Sequence, residues 1–187
     1  GGGGGGGGGD DLGAALDGDD DDGGDGGDGA HDNLDFECVA VCHGHAQDVK
    51  HVVWHRTEPV LVSCSYDDTL KVWQDDAHDD DWFCTHSLGG GAAAGAHTST
   101  VWEAAFDDGG ARLASCSDDC RVLLWRYAPH RAEGEQWARA GALSGYHDRT
   151  IYSLDWRNEL IASGAGDDAI CLYATAPDDG GGATGAT

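Results

Sequence analysis

Residues 63–73 read Ser63-Cys64-Ser65-Tyr66-Asp67-Asp68-Thr69-Leu70-Lys71-Val72-Trp73, and the same cassette returns twice. Its skeleton is Ser63, Asp67 and Trp73, then Ser115, Asp119 and Trp125, then Ser163, Asp167 and Tyr173. A His precedes each closing aromatic by 28, 28 and 26 residues: His45, His97 and His147. Four residue types in fixed order, recurring about every 50 residues, are the mark of a repeat architecture.

The residues between each His and its aromatic read as short strands. In the first repeat these are 49–54, 60–64 and 69–73, with a tight turn at Tyr66-Asp67-Asp68 and a fourth strand near 82–85. They are rich in Val, Leu, Trp and Thr, which suit a pleated, half-buried surface. The pattern recurs at 101–106, 112–116 and 121–125, then at 151–156, 160–163 and 169–173. Four short strands per repeat predict an all-β propeller built of about three blades, near 42–85, 94–140 and 144–175. Residues 36–41 read as the outer strand of a preceding blade. Three segments read as loops: acidic Asp75–Asp81, Gly/Ala-rich Gly89–Gly95, and a long irregular Ala128–Ala142.

Composition divides the chain. Residues 1–35 hold 16 Gly and 11 Asp, too little apolar surface to offset ordering entropy, and are expected to be a disordered leader. Residues 176–187 are expected to be a similar tail. The propeller segment is 36–175. A calcium-binding Gly/Asp repeat is a poor fit, because residues 17–29 lack the periodic apolar residue that builds a stacked strand. The formal net charge of −25 disfavours nucleic acid and anionic membranes as partners. No window holds the roughly 18 apolar residues of a spanning helix, and no secretion leader is visible. With no Met, the chain reads as a fragment or a gene model with an artificial start. The odd cysteine count, seven, without Cys-x-x-Cys spacing, favours reduced thiols and the cytosol. Cys64 and Cys116 share one repeat position and read as buried strand residues.

Ser, His and Asp in one repeat invite a hydrolase reading. A catalytic triad is needed once per site, whereas this set occurs three times in register, and no nucleophile elbow accompanies it. The expectation is a structural tetrad in each blade: His45, Ser63, Asp67, Trp73; His97, Ser115, Asp119, Trp125; His147, Ser163, Asp167, Tyr173. Such a network pairs buried polar groups and joins strands. His43, His45, His51 and His55 lie close in sequence but lack the spacing of a zinc site. No phosphate-cradling loop is present. Neither catalytic residues nor a metal or cofactor are expected.

The surface is the remaining candidate. Five residues after each tetrad His stand Lys50, Trp102 and Tyr152. One residue before each turn Asp stand Tyr66, Asp118 and Gly166. In a propeller these positions surround the channel on one face. Large aromatics beside a Lys are typical protein-contact residues, so Lys50, Tyr66, Trp102, Asp118 and Tyr152 are the candidate partner-binding set. The competing reading is that Trp102 and Tyr152 only pack blade edges.

Several stretches extend beyond a generic repeat: 47–55, 65–69, 99–102, 112–119, 145–152 and 166–170. On these, the chain resembles the WD-repeat family of cytosolic iron–sulfur protein assembly over roughly residues 35–173, the middle blades of a seven-bladed propeller. The resemblance implies a non-catalytic scaffold of the cytosolic targeting complex, which passes clusters to cytosolic and nuclear apoproteins. It implies as partners a HEAT-repeat adaptor, a small assembly subunit and an iron-only-hydrogenase-like protein, with no cluster held by the WD-repeat subunit. The alternative is a WD-repeat adaptor in ubiquitin ligation or chromatin work. The chain departs from the family pattern at Glu103, Cys120 and Arg121, in the Gly89–Gly95 insertion, and at Val72-Trp73-Gln74, where some relatives carry Leu-Tyr-Arg.

Overall fold

A computed structural model describes residues 37–76, 81–90 and 95–175. The leader and the tail expected at the two ends lie outside the described residues, as do the middles of the acidic and Gly/Ala loops. Eleven strands form three antiparallel sheets, with no helix among the described residues.

The first sheet runs β1 (Val49–Trp54), β2 (Val60–Ser65), β3 (Thr69–Asp76), β4 (Asp81–Gly89) in spatial order. The second runs β5 (Val101–Phe106), β6 (Arg112–Ser117), β7 (Arg121–Tyr127), β8 (Trp137–Ser144). The third has β9 (Ile151–Arg157), β10 (Leu160–Ala165) and β11 (Ile170–Ala174), with β10 between the other two. Each sheet is one blade of a partial WD-type β-propeller.

The core explains why three blades stack. Successive residues of a strand point to opposite faces. In the middle blade Ala104, Leu113 and Leu123 join Val62, Leu70, Val72 and Trp125 between blades one and two. Their neighbours Ala105, Ala114 and Val122 join Ile151, Leu154, Trp156 and Ile161 between blades two and three. The middle blade is therefore apolar on both faces. Cys64 and Cys116 are both fully buried. Burial holds the Cys64 thiol well above its ordinary range and pushes Cys116 up to about 12, as expected of inert strand cysteines.

Three sequence expectations need correction. Residues 37–41 form no strand, and Val39 and Val41 are exposed. A strand exists through its ladder, and no described strand lies beside this segment. The span Ala128–Ala142 is not wholly irregular, because Trp137 begins β8, which pairs with β7. Trp137 packs on Phe106 and Tyr127, at 6.0 and 5.4 Å between ring centroids. The acidic hairpin is shorter than it reads: Asp75 pairs with Trp82 and Asp76 with Asp81. Trp82 stacks edge-on against Trp54, 5.3 Å away, an apolar contact that draws the acidic residues into the ladder.

Candidate functional site

Each tetrad closes as one hydrogen-bonded chain. His45 Nδ1 lies 2.9 Å from Asp67 Oδ2, and His45 Nε2 lies 2.7 Å from Ser63 Oγ. The Trp73 indole N–H donates to the same Ser63 Oγ at 2.8 Å. These donors fix the proton pattern. Asp67 accepts, so His45 carries its proton on Nδ1; the Ser63 hydroxyl donates to Nε2 and accepts from the indole. In the second blade His97 is 2.9 Å from both Asp119 and Ser115, and Trp125 donates to Ser115 at 2.9 Å. In the third, His147 is 2.9 Å from Asp167 and 2.8 Å from Ser163, while Ser163 Oγ and Tyr173 Oη are 3.2 Å apart. The phenol reaches its serine less closely than the indoles reach theirs.

The turn aspartates are held ionised. Burial pushes Asp67 up, but hydrogen bonds from Thr69, the Ala46 backbone N–H and His45 outweigh it and hold the carboxyl at about 2. Burial opposes Asp119 in the same way, and His97 with Arg121 draws it far below the ordinary range. Arg121 stands where the first blade has Thr69, and its guanidinium bonds Asp119 Oδ2 at 2.7 Å and the Ala96 carbonyl at 2.8 Å. At Asp167 the His147 hydrogen bond is the leading cause of a lowered pKa. The residue after each turn Asp has positive φ: 65° at Asp68, 61° at Cys120 and 65° at Asp168. Asp tolerates that conformation better than Cys, so Cys120 is the strained member.

The sequence-clustered histidines go to separate tasks. His45 is in the tetrad. His51 Nδ1 accepts the Ala104 N–H at 3.4 Å. His55 Nδ1 accepts the N–H groups of Thr57 and Glu58 at 3.2 and 3.0 Å. The His55 ring packs 5.0 Å from Phe106 by crossing above Gly110 (φ 73°), where an added Cβ would lie 1.8 Å from His55 Nε2.

The candidate contact residues sit at one repeated irregularity. The β1–β2 register jumps from Val49↔Ser65 to His51↔Cys64, leaving Lys50 as an extra residue. The β5–β6 register skips Trp102 in the same way, and the β9–β10 register skips Tyr152. A bulge re-aims the side chain of its extra residue. Beside each bulge, the N–H of the turn residue bonds the carbonyl that precedes the strand: Tyr66 to Asp48, Asp118 to Thr100, Gly166 to Thr150, at 3.0, 3.0 and 2.9 Å.

Bulge and turn together make one line of side chains across all three blades. Tyr66 and Trp102 meet edge-to-face at 5.9 Å, and Trp102 and Tyr152 at 5.4 Å. Lys50 Nζ stands 4.0 Å from the Tyr66 ring centroid and 5.9 Å from that of Trp102. It also bonds Asp48 Oδ2 at 3.1 Å. The Trp102 indole donates to Asp118 Oδ1 at 2.8 Å. Tyr66 and Tyr152 are exposed, and Trp102 is half-buried.

Sequence reasoning missed the polar bridges beneath this line. Glu103 Oε1 lies 3.4 Å from His51 of the first blade, and Glu103 Oε2 accepts the Leu154 N–H of the third at 2.6 Å. Asp108 does the same at the opposite end, 3.3 Å from Arg56 and accepting the Asn158 N–H at 2.8 Å. The only advance signal was that Glu103 departs from the expected residue type.

The family model described as "WD domain, G-beta repeat" matches residues 36–74 and 82–126. The two matched segments carry WD repeats. The third blade lies outside both matched segments, yet has the same His–Asp–Ser geometry, with Tyr173 for Trp and a spacing two residues shorter. The chain is 40% identical over 115 residues to a probable cytosolic iron-sulfur protein assembly protein Ciao1 of Aedes aegypti, covering 56% of this chain and 32% of that protein. To a CIAO1 homolog of Chlamydomonas reinhardtii it is 46% identical over 110 residues, 49% of this chain and 31% of the relative. To a probable cytosolic iron-sulfur protein assembly protein 1 of Vanderwaltozyma polyspora it is 37% identical over 198 residues, 80% of this chain and 55% of the relative. The chain thus spans about a third to a little over half of these relatives. The WD-repeat resemblance read from the sequence is to the family these relatives name.

Proposed function

We propose that the chain is a non-catalytic protein-interaction scaffold for cytosolic iron–sulfur protein assembly, acting in the cytosol and helping deliver clusters to cytosolic and nuclear apoproteins. The observation that carries this reading is the line Lys50–Tyr66–Trp102–Asp118–Tyr152, which crosses three blades with aromatic rings partly open to solvent. Aromatic anchors of this kind dominate binding energy at protein interfaces. The names of the relatives supply the process, cytosolic iron-sulfur protein assembly.

The tetrads support the non-catalytic part. A nucleophilic serine needs a free hydroxyl and an approach path for substrate. Ser63, Ser115 and Ser163 are each no more than 4% exposed. Their hydroxyls are already engaged by the ring nitrogen and the closing aromatic. We assign the tetrads a structural role.

The partners proposed are a HEAT-repeat adaptor, a small assembly subunit and an iron-only-hydrogenase-like protein. Immobilised chain is mixed with each purified partner in turn. Binding of at least one, lost on Trp102→Ala, is expected. Binding of none would favour a WD-repeat adaptor of another complex.

A further inference from the structure

We infer that the notch formed by Trp102, Asp118 and Tyr152 receives a basic side chain, best an arginine, from the protein partner. This deepens the reading of the aromatic line as the binding face and rests on it.

Two neighbouring notches share one backbone plan. The first is made by bulge residue Lys50, turn residue Tyr66 and the next bulge residue Trp102. The second is made by bulge residue Trp102, turn residue Asp118 and the next bulge residue Tyr152. The first already holds a cation. Lys50 Nζ lies against two rings, at 4.0 and 5.9 Å, and is bonded to a carboxylate at 3.1 Å. A ring quadrupole and a carboxylate are the two attractions an ammonium or guanidinium uses.

The second notch has the same two rings' worth of surface and a carboxylate, but no cation of its own. Trp102 and Tyr152 meet at 5.4 Å. Asp118 gives Oδ1 to the Trp102 indole at 2.8 Å, and its Oδ2 carries no hydrogen bond among the described residues. Asp118 is half-buried, and Tyr152 is 53% exposed. Arg149 stands beside Gly166, on the same side as the Tyr152 ring, and makes no ion pair or ring contact among the described residues. Gly166 presents no side chain where the other blades have Tyr66 and Asp118, so on this side Tyr152 is flanked by the Arg149 side chain.

Charge around the notch points the same way. Asp148 and Asp168 are exposed on the adjoining turns. Asp118, Asp119, Asp148 and Asp167 all act electrostatically on Cys120, at the junction of the second and third blades. Arginine fits better than lysine because its planar group stacks on a ring while bonding a carboxylate.

The test uses the full 187-residue chain labelled with 5-fluorotryptophan, the Trp102 fluorine signal being assigned with Trp102→Phe. N-acetyl-arginine amide is titrated in, with N-acetyl-citrulline amide as the uncharged isostere and N-acetyl-glutamate amide as the acidic control. We expect a saturable movement of the Trp102 signal with the arginine amide alone, about tenfold weaker in Asp118→Asn. Equal movement with citrulline, no saturable movement, or movement retained in Asp118→Asn overturns the inference. So does saturable movement with the glutamate amide, which would assign the line to an acidic partner through Lys50 and Arg149. The titration does not involve the assembly subunits. A failure here with partner binding intact sinks the cation site alone, whereas loss of partner binding with the titration intact sinks the assembly role.

Discussion

Glu103 of the middle blade accepts the backbone N–H of Leu154 at 2.6 Å, so a side chain of one blade completes the backbone hydrogen bonding of the next. Its other oxygen lies 3.4 Å from His51 of the preceding blade. Glu103→Ala removes both links and leaves the Leu154 N–H without its partner beside a packed core. A loss of about 1–3 kcal/mol is expected. Glu103→Gln keeps an amide oxygen for Leu154 and should lose less. Thermal melts of the two variants check this, and equal melting temperatures for Glu103→Ala and the parent would contradict it.

The tetrads predict a graded series. Trp73→Ala empties a buried site and orphans a serine, at an expected cost of about 3–5 kcal/mol. Asp119→Ala strips the partner from His97 and Arg121, at about 1–3 kcal/mol. Tyr173→Phe removes only the longer 3.2 Å contact and should cost the least, about 0.5–1.5 kcal/mol. Denaturant midpoints in a different order would mean that the three networks do not hold the blades as described.

Acid should weaken the fold within a defined window. Asp67 is held at about 2, below the ordinary carboxylate value of 3.8; Asp119 and Asp167 are lowered as well. A carboxyl that is more acidic in the folded chain adds stability that is complete above the unfolded value. That stability drains away as the pH falls through the folded value. The tetrad contribution should therefore be constant from neutrality down to about pH 5 and fall between about pH 4 and 2. Asp67→Asn should flatten that fall in a pH series of melting temperatures. An unaltered slope would remove the tetrad carboxylates from the account.

The outer faces of the blade stack predict association of the 187-residue chain on its own. Val52 and Trp54 are 55% and 56% exposed on the first blade, and Ile170 and Leu172 are 79% and 68% exposed on β11. Apolar faces and an unpaired strand edge are templates for contact with other chains. Sedimentation should show oligomers or aggregates that diminish with Ile170→Lys and Leu172→Lys. A monomer with one sharp thermal transition would show that these faces are tolerated.

Much of the fold is legible because its chemistry is local. The turn Asp fixes the hairpin between the second and third strands, and runs rich in Val, Leu, Trp and Thr mark the strands themselves. The strand predicted at 101–106 matches β5 residue for residue. Residues 36–41 mislead because their composition suits a strand, whereas a strand also needs a partner that composition cannot supply. β8 is missed because Ala138, Ala140, Gly141 and Ala142 carry weak strand preference; pairing with β7 and the packing of Trp137 decide it. At the surface, the offset from each tetrad His picks out Lys50, Trp102 and Tyr152. That these three are bulge residues depends on inter-strand register, which no local pattern encodes. The bridges of Glu103 and Asp108 join residues about 50 positions apart, beyond the reach of any motif.

Trp102 lies at the centre of the proposed binding line, between Tyr66 and Tyr152. Calorimetric titration of the chain with the purified partner that binds it, run beside thermal melts of the same samples, separates binding from folding. The account predicts that Trp102→Ala weakens binding by about 1–3 kcal/mol, with some loss of melting temperature because Trp102 also packs on the core between blades two and three. Undiminished binding accompanied by a lowered melting temperature would contradict it, and would make Trp102 a packing residue rather than a contact.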